Sequence, residues 1–180
     1  MEKRYAIFKS PYGYCAGVLS GKNLIRFYLP GKQRKILASL KKEFPLARRD
    51  DRALWLIRKS LAKYFHTGSL GESPRTLLGG FSPFVRSVLR IVKKIPPGRV
   101  LSYGEVAKRM GRTKGAARSI GRALSRNPVP LFIPCHRVIR SDGKLGGFSA
   151  DGGERLKYKL LRLERLQLEK RKEISVRSVR

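Results

Sequence analysis

Acidic residues are scarce in this chain. Twelve Asp and Glu stand against forty-two Lys and Arg in 180 residues, leaving a formal net charge of +30. A protein so short of negative charge is drawn to polyanions, nucleic acid first and an anionic membrane surface second. The membrane is disfavoured, because no apolar run approaches the roughly 20 residues that span a bilayer. The opening Met1-Glu2-Lys3-Arg4 leads into a mixed strand and not into a cleavable apolar segment, so export is not expected. Cysteine is nearly missing too. Cys15 and Cys135 lie far apart with no Cys-x-x-Cys pair, which argues against a disulfide framework and against zinc at ordinary spacing. His66 and His136 add only two further soft ligands, again without clustering, and no metal is expected. The compartment read from this is reducing, cytoplasmic or nucleoid-associated. Asn and Gln occur twice each, a composition that suits a thermophile.

What remains is enough to fold. A hydrophobic content of 41% supports a packed core, and 180 residues make one domain or two small ones. Arg4 to Ser10, Tyr14 to Ser20 and Leu24 to Leu29 read as strands separated by turns at Pro11-Tyr12-Gly13 and Ser20-Gly21-Lys22-Asn23, with Pro30-Gly31 ending the third. Ile36, Leu37 and Leu40 fall on one face of a basic helix from about Gln33 to Phe44. A second helix is expected to start at Asp50-Asp51, either of which can cap it, with Leu54, Ile57, Leu61 and Phe65 inward. The stretch from His66 to Gly80 is rich in Gly, Ser and Pro and marks a boundary. The division is 1–75 as a structural α/β part, 76–168 as the functional part, and 169–180 as a basic tail. The first part offers no constellation that carries chemistry, and His66 reads as a surface or capping residue.

Ser82-Pro83 opens the second part as an N-cap followed by proline at the first helical position. Phe84, Val88, Ile91 and Val92 form that helix's apolar face, and Pro96-Pro97-Gly98 ends it. Ser102-Tyr103-Gly104-Glu105 fits a capping box for a short helix that Gly111 closes. After Arg112-Thr113-Lys114, Gly115 to Leu124 makes another helix, with small residues at Ala116, Ala117 and Gly121. Ile120 and Leu124 turn inward while Arg118 is exposed. Two short helices about a tight turn, with Lys114, Arg118 and Arg122 beside small residues, read as a helix-turn-helix that contacts DNA. A plain helical hairpin is the alternative. Leu145-Gly146-Gly147-Phe148-Ser149 is a loop whose glycines let backbone amides approach a flat ligand closely, or simply a turn. Leu156, Leu160, Leu163 and Leu166 keep helical spacing in a final helix from Glu154.

Between these elements lies Asn127-Pro128-Val129-Pro130-Leu131-Phe132-Ile133-Pro134-Cys135-His136-Arg137-Val138-Ile139. A thiolate is the nucleophilic form of cysteine, and neighbouring His and Arg favour it. Pro134 suits a sharp turn that presents the next residue. The run resembles the active-site signature of the O6-alkylguanine-DNA alkyltransferases, and the similarity extends over about residues 81–166. The resemblance implies an α+β protein with a small N-terminal part of ribonuclease-H-like shape and a mainly helical C-terminal part. It implies direct reversal of O6-alkylguanine damage in double-stranded DNA by a monomer that reacts once, with no metal or organic cofactor.

Position by position, Cys135 matches the alkyl acceptor, His136 the residue that takes its proton through a water, and Glu164 the carboxylate orienting that His. Tyr103 matches the residue donating to the guanine ring, Arg118 the arginine that enters the base stack, and Asn127 the hinge between recognition helix and Cys turn. Val138 and Ser149 match positions whose backbone groups read the flipped base, and Phe148 stands where an aromatic is expected. Gly146 belongs to the loop whose backbone can reach that base, and the small Ala116 and Ala117 permit close approach to DNA. The chain departs from the family in two extra residues within Ala150-Asp151-Gly152-Gly153. It also has Phe148 where some relatives carry Tyr, and it lacks the N-terminal zinc ligands that some members have. An alkyltransferase-like binding protein is the nearest alternative, but such relatives usually replace the acceptor Cys. A regulator using only the helix-turn-helix would leave Pro-Cys-His-Arg without a role.

Overall fold

Three strands separated by short turns build a sheet first. β1 (Lys3–Ser10), β2 (Gly13–Ser20) and β3 (Asn23–Gly31) form an antiparallel meander in this computed structural model. The structure describes residues 1–177, with the side chains of Lys114 and of residues 166–177 outside the description. A two-residue strand, β4 (Arg48–Arg49), joins parallel to β1 and gives the order β3-β2-β1-β4. Period-two alternation sends Ala16 and Val18 to one face, where they meet Ile36 and Leu40 of α1 (Gln33–Glu43). Ala6, Phe8, Cys15 and Leu19 point to the other face, beneath α2 (Trp55–Thr67). Gly17 shares that second face. A Cβ there would lie 3.3 Å from both the Leu54 and the Ile57 side chains, tighter than an ordinary contact, so glycine suits this close approach of helix and sheet.

Two local expectations are corrected. α2 begins at Trp55, not at Asp50-Asp51. Asp50 Oδ1 does accept a hydrogen bond from the Ala53 amide at 2.8 Å, but this caps only a turn. Asp50 is tied to the sheet by its N–H to the Tyr5 carbonyl and by an ion pair with Arg4 at 3.3 Å, which keeps it out of the helix. β3 also runs through Pro30 to Gly31 instead of stopping before it. It is the edge of its sheet, where a residue without an N–H is tolerated.

The second half follows the caps. Ser82 caps α3 (Pro83–Lys93) by accepting from the Val85 amide. Ser102 and Glu105 form a reciprocal capping box for α4 (Tyr103–Arg109), with bonds of 3.1 and 2.6 Å. The chain turns at Gly111 and enters a 3₁₀ turn over Lys114–Ala116, so α5 (Ala117–Ser125) starts two residues later than the apolar spacing suggests. Ile120, Ala123 and Leu124 are buried, whereas Arg118 and Arg122 are exposed. Leu101–Ser102 (β5) pairs parallel with Val138–Ile139 (β6), a ladder too short to show in sequence. The last helix, α6, spans Gly153–Arg177. Lys157 and Glu164 on it are both fully buried. The side chains of Leu166 and of the basic tail lie outside the described residues.

The two halves share one apolar core. A single cluster of buried side chains includes Phe27, Leu54 and Tyr64 from the first half and Val88, Ile120 and Leu160 from the second. Backbone bonds reinforce it. Leu24 bonds to Arg75 and Leu77, and the Phe27 amide donates to the Pro128 carbonyl at 2.8 Å. The Gly- and Pro-rich boundary segment thus borders β3, and the first half packs directly behind the Cys135 stretch. No described helix is long and apolar enough to cross a membrane.

Candidate active site

Asn127 organises the turn that carries Cys135. Its Nδ2 donates to the Ile133 carbonyl at 2.8 Å, and its Oδ1 accepts from the Val129 amide at 3.1 Å. The loop between is tight. Leu131 has φ of 70°, the only positive value at a non-glycine among the described residues. Such a conformation is strained for a γ-branched side chain, and here Leu131 is buried to 1% exposure in the core. The Cys135 amide bonds to the Ile133 carbonyl, and Cys135–Arg137 forms one 3₁₀ turn. Cys135 is 9% exposed.

The next two side chains turn inward, toward Glu164. His136 Nε2 lies 2.8 Å from Glu164 Oε1. Arg137 Nη2 donates to the same oxygen at 2.8 Å and Nε to Oε2 at 2.9 Å, while Nη1 reaches the Ile95 carbonyl. Tyr64 Oη donates to Oε1 at 2.9 Å and the Gly98 amide to Oε2 at 3.2 Å. Burial alone would raise the Glu164 pKa. The hydrogen bonds and charges of His136 and Arg137 outweigh that and hold it at about 2. Burial lowers the pKa of His136, so its imidazole is neutral near pH 7. With Nε2–H donating to Glu164, the lone pair sits on Nδ1, a buried atom without a hydrogen-bond partner among the described residues.

Burial pushes the Cys135 thiol upward, while hydrogen bonds and the Lys157 ammonium pull it back. The sulfur is therefore a protonated thiol beside a neutral base, not a standing thiolate. This corrects the expectation that His and Arg neighbours favour the anion. Arg137 is committed to Glu164 and Ile95, and the cation acting on Cys135 is Lys157. Lys157 Nζ donates to the carbonyls of Val138 at 2.7 Å and Leu145 at 2.5 Å, bracing the turn against the glycine loop. Cys15 is different. Burial lifts it to about 12, and the one hydrogen bond that lowers it comes from Ser10.

Cys135 lies on the wall of two adjoining cavities. One, of about 450 Å³, is bounded by Tyr103, Gly121, Leu124, Gly147, Phe148 and Ser149. The other, of about 520 Å³, extends from Asn127, Pro130 and Phe148 to Lys35 and Asp151. Asp151, in the connection before α6, pairs with Lys35 of α1 at 3.2 Å. Gly146, at φ of 71°, stands against Tyr103, and a Cβ there would lie 3.4 Å from the phenol oxygen. Burial and the nearby Cys135 raise the Tyr103 pKa, so it is a hydroxyl donor.

Cys135, Tyr103, Phe148 and Ser149 thus meet at one cavity, with Asn127, His136 and Glu164 behind them. Val138 contributes its carbonyl to Lys157 and lines neither cavity. Arg118 and Arg122 are exposed on α5 and line neither cavity. Ala116 and Ala117 are half-buried, and Ala117 borders a third space of about 600 Å³ with Tyr103, Lys108, Arg112 and Arg140. The side chain of Lys114 lies outside the described residues. Sequence reading missed Tyr64 and Lys157. Lys157 and Glu164 stand seven apart, two helical turns, within the stripe of Leu156, Leu160 and Leu163, and that spacing was the available signal.

A family profile described as the DNA binding domain of 6-O-methylguanine DNA methyltransferase matches residues 83–166, which include the arrangement around Cys135 except Tyr64 and Lys35. A methylated-DNA–protein-cysteine methyltransferase of Methanosarcina acetivorans is 36% identical over 162 residues, covering 89% of this chain and 97% of that protein. The chain belongs to the methylated-DNA–protein-cysteine methyltransferase family. A second member, from Methanothermobacter thermautotrophicus, is 54% identical over 91 residues, where the match spans about half of each protein, 51% and 49%. The crystal structure of the Mycobacterium tuberculosis O6-methylguanine methyltransferase superposes with a TM-score of 0.78 at 30% identity, covering 92% of this chain and 94% of that one. A Mycobacterium tuberculosis OGT in complex with DNA superposes at 0.76 with 32% identity, covering 91% and 94%. The mixed α+β architecture is thus that of the methyltransferase family.

Proposed function

We propose that this protein repairs DNA directly, moving the alkyl group from O6-alkylguanine in a duplex to Cys135 in a single turnover. The observation that carries this reading is a nearly buried thiol on a cavity wall, followed in the same turn by a neutral His136 whose Nε2 is held by Glu164. The His136 Nδ1 lone pair takes the Sγ proton through one water as sulfur attacks the O6-linked carbon in line. The S–C bond forms, the O6–C bond breaks, and the electron pair leaves on the purine. Tyr103 donates a proton to the ring, and the proton released by sulfur replaces it through His136 and solvent. The product thioether has no easy leaving group, so the protein is consumed. The reaction draws on no metal or organic cofactor.

The target atom lies inside the duplex, so the nucleotide must turn out of the stack, at a cost of a few kcal/mol. In this reading α4 and α5 are a helix-turn-helix, with Ala116 and Ala117 close to the backbone and Lys114 and Arg122 on phosphates. Arg118 fills the gap left by the base, while Phe148 and Ser149 of the cavity wall enclose it with Gly146, and Val138 stands behind them with its carbonyl held by Lys157. The relative solved in complex with DNA supports DNA as the partner. The protein acts as a monomer in the cytoplasm. Quantifying guanine and O6-methylguanine in a single-lesion duplex tests the proposal. Loss of one lesion per protein molecule is expected, and an unchanged lesion over any protein excess would overturn it.

Two results follow for DNA. If Lys and Arg neutralise several phosphates, binding to undamaged duplex weakens steeply with salt, with a log–log slope of roughly −0.9 per phosphate. A titration from low to moderate salt checks this, and a flat response would contradict it. Arg118→Ala slows transfer from duplex DNA at least about tenfold, a loss near 1.4 kcal/mol, yet leaves transfer from free O6-benzylguanine almost unchanged. Single-turnover rates on both substrates check this. Equal losses would assign Arg118 to the pocket or the fold instead.

A further inference from the structure

We infer that Tyr64, on α2 of the N-terminal half, is a positioning residue of the proton relay whose hydroxyl holds Glu164 and limits how strongly that carboxylate draws on His136. The inference rests on the reading of His136 as the base for Cys135. Tyr64 Oη donates at 2.9 Å to Oε1, the same oxygen that meets His136 Nε2 at 2.8 Å. Tyr64 is fully buried, and its ring packs edge-on against Phe65 at 5.4 Å between centroids. For packing alone a phenylalanine would serve without desolvating a hydroxyl. The hydroxyl is spent on the carboxylate.

Its effect has a definite sign. A donor to a carboxylate stabilises the anion and makes it less basic. A less basic Glu164 stabilises the imidazolium less, so Tyr64 keeps His136 neutral to lower pH. Other charged or titratable groups facing His136 are Glu164 and Lys157 from α6 and Arg137 and Cys135 from its own turn. Tyr64→Phe alters none of them chemically. Without the hydroxyl, Glu164 keeps bonds from His136, both Arg137 nitrogens and the Gly98 amide, so it stays paired. The N-terminal half therefore adjusts the relay as well as packing behind it.

The test is the pH dependence of single-turnover transfer from O6-benzylguanine, alongside the His136 imidazole pKa followed by NMR. Only two histidines are present, so the ring signals resolve. In Tyr64→Phe the acidic limb and the His136 pKa both move up by roughly half to one unit, so the rate near the limb falls about three- to tenfold. The plateau at higher pH stays within about twofold of the unmutated protein. Tyr12→Phe, whose ring packs against Phe65, shifts neither. Superimposable profiles for Tyr64→Phe and the unmutated protein, or a loss equal at every pH, would overturn the inference by reducing Tyr64 to packing. Should that variant not fold, 3-fluorotyrosine incorporation strengthens the donor at nearly constant size and must move the His136 pKa down; no movement overturns the inference. If folded His136→Ala transfers alkyl groups at the unmutated rate across the range, the relay reading itself has failed.

Discussion

Cys135→Ser lowers alkyl transfer from O6-methylguanine duplex on the order of a thousandfold or more and leaves DNA affinity nearly unchanged. Two features of the site set this size. Even the native thiol is held protonated by burial, so its anion forms only at a cost and needs the neutral His136 to take the proton. A hydroxyl is several pKa units less acidic again, and the same neutral imidazole cannot deprotonate it to a useful extent. Serine also gives up the soft sulfur suited to an sp³ carbon. Affinity survives because it is assigned to the exposed side of α5 and the basic surface, whereas Gly121 and Leu124 on the other side of that helix border the thiol's cavity. Single-turnover kinetics and a binding titration on one duplex separate the effects, and a serine variant retaining a tenth of the rate would disprove the nucleophile assignment.

Glu164→Ala unfolds the protein or destabilises it by about 3–5 kcal/mol, the range for removing one partner of a buried ion pair. Arg137 would remain buried at 5% exposure with only the Ile95 carbonyl, and Tyr64 and the Gly98 amide would lose their acceptor. Glu164→Gln keeps the shape but loses the charge, and sits between the two. The carboxylate also governs acid stability. Its folded pKa of about 2 lies below the ordinary 4.5, so its stabilisation is complete above pH 4.5 and lost as pH falls toward 2. His136 adds a loss of the same sign beginning below its ordinary 6.5, because the folded state resists a proton that the unfolded chain accepts. Thermal midpoints of the unmutated protein should fall steadily from pH 7 to pH 3. A midpoint in Glu164→Ala equal to that of the unmutated protein at pH 7 would refute the account of this cluster.

The sequence exposed most strongly what local chemistry writes. Ser82-Pro83 and the Ser102–Glu105 box mark real helix starts because a cap is complete within four residues. The three long strands show through loose alternation in β1 and the turn residues that separate them, although β2, buried on both faces, does not alternate. β4, β5 and β6 have two residues each and no period to detect. Asp50 misled because its carboxylate caps a turn and its pairing with β1 is a long-range contact. The Cys135 stretch was legible as a motif, yet its electrostatics were not. Arg137 looked like a partner for the thiol, but its direction depends on Glu164, 27 residues away, and on Ile95, 42 away. Tyr64 reaches Glu164 across 100 residues. No local pattern could announce that bond, and the N-terminal half therefore read as chemically silent.

The most direct measurement is the intact mass of the unmutated protein after incubation with excess O6-methylguanine duplex, followed by fragmentation. The account predicts a gain of one methyl group, carried by Cys135, with no second addition however long the incubation. Cys15 should stay unmodified, since it is fully buried and its thiol is raised to about 12. Repaired DNA beyond one equivalent, or the methyl group on Cys15, would contradict the mechanism.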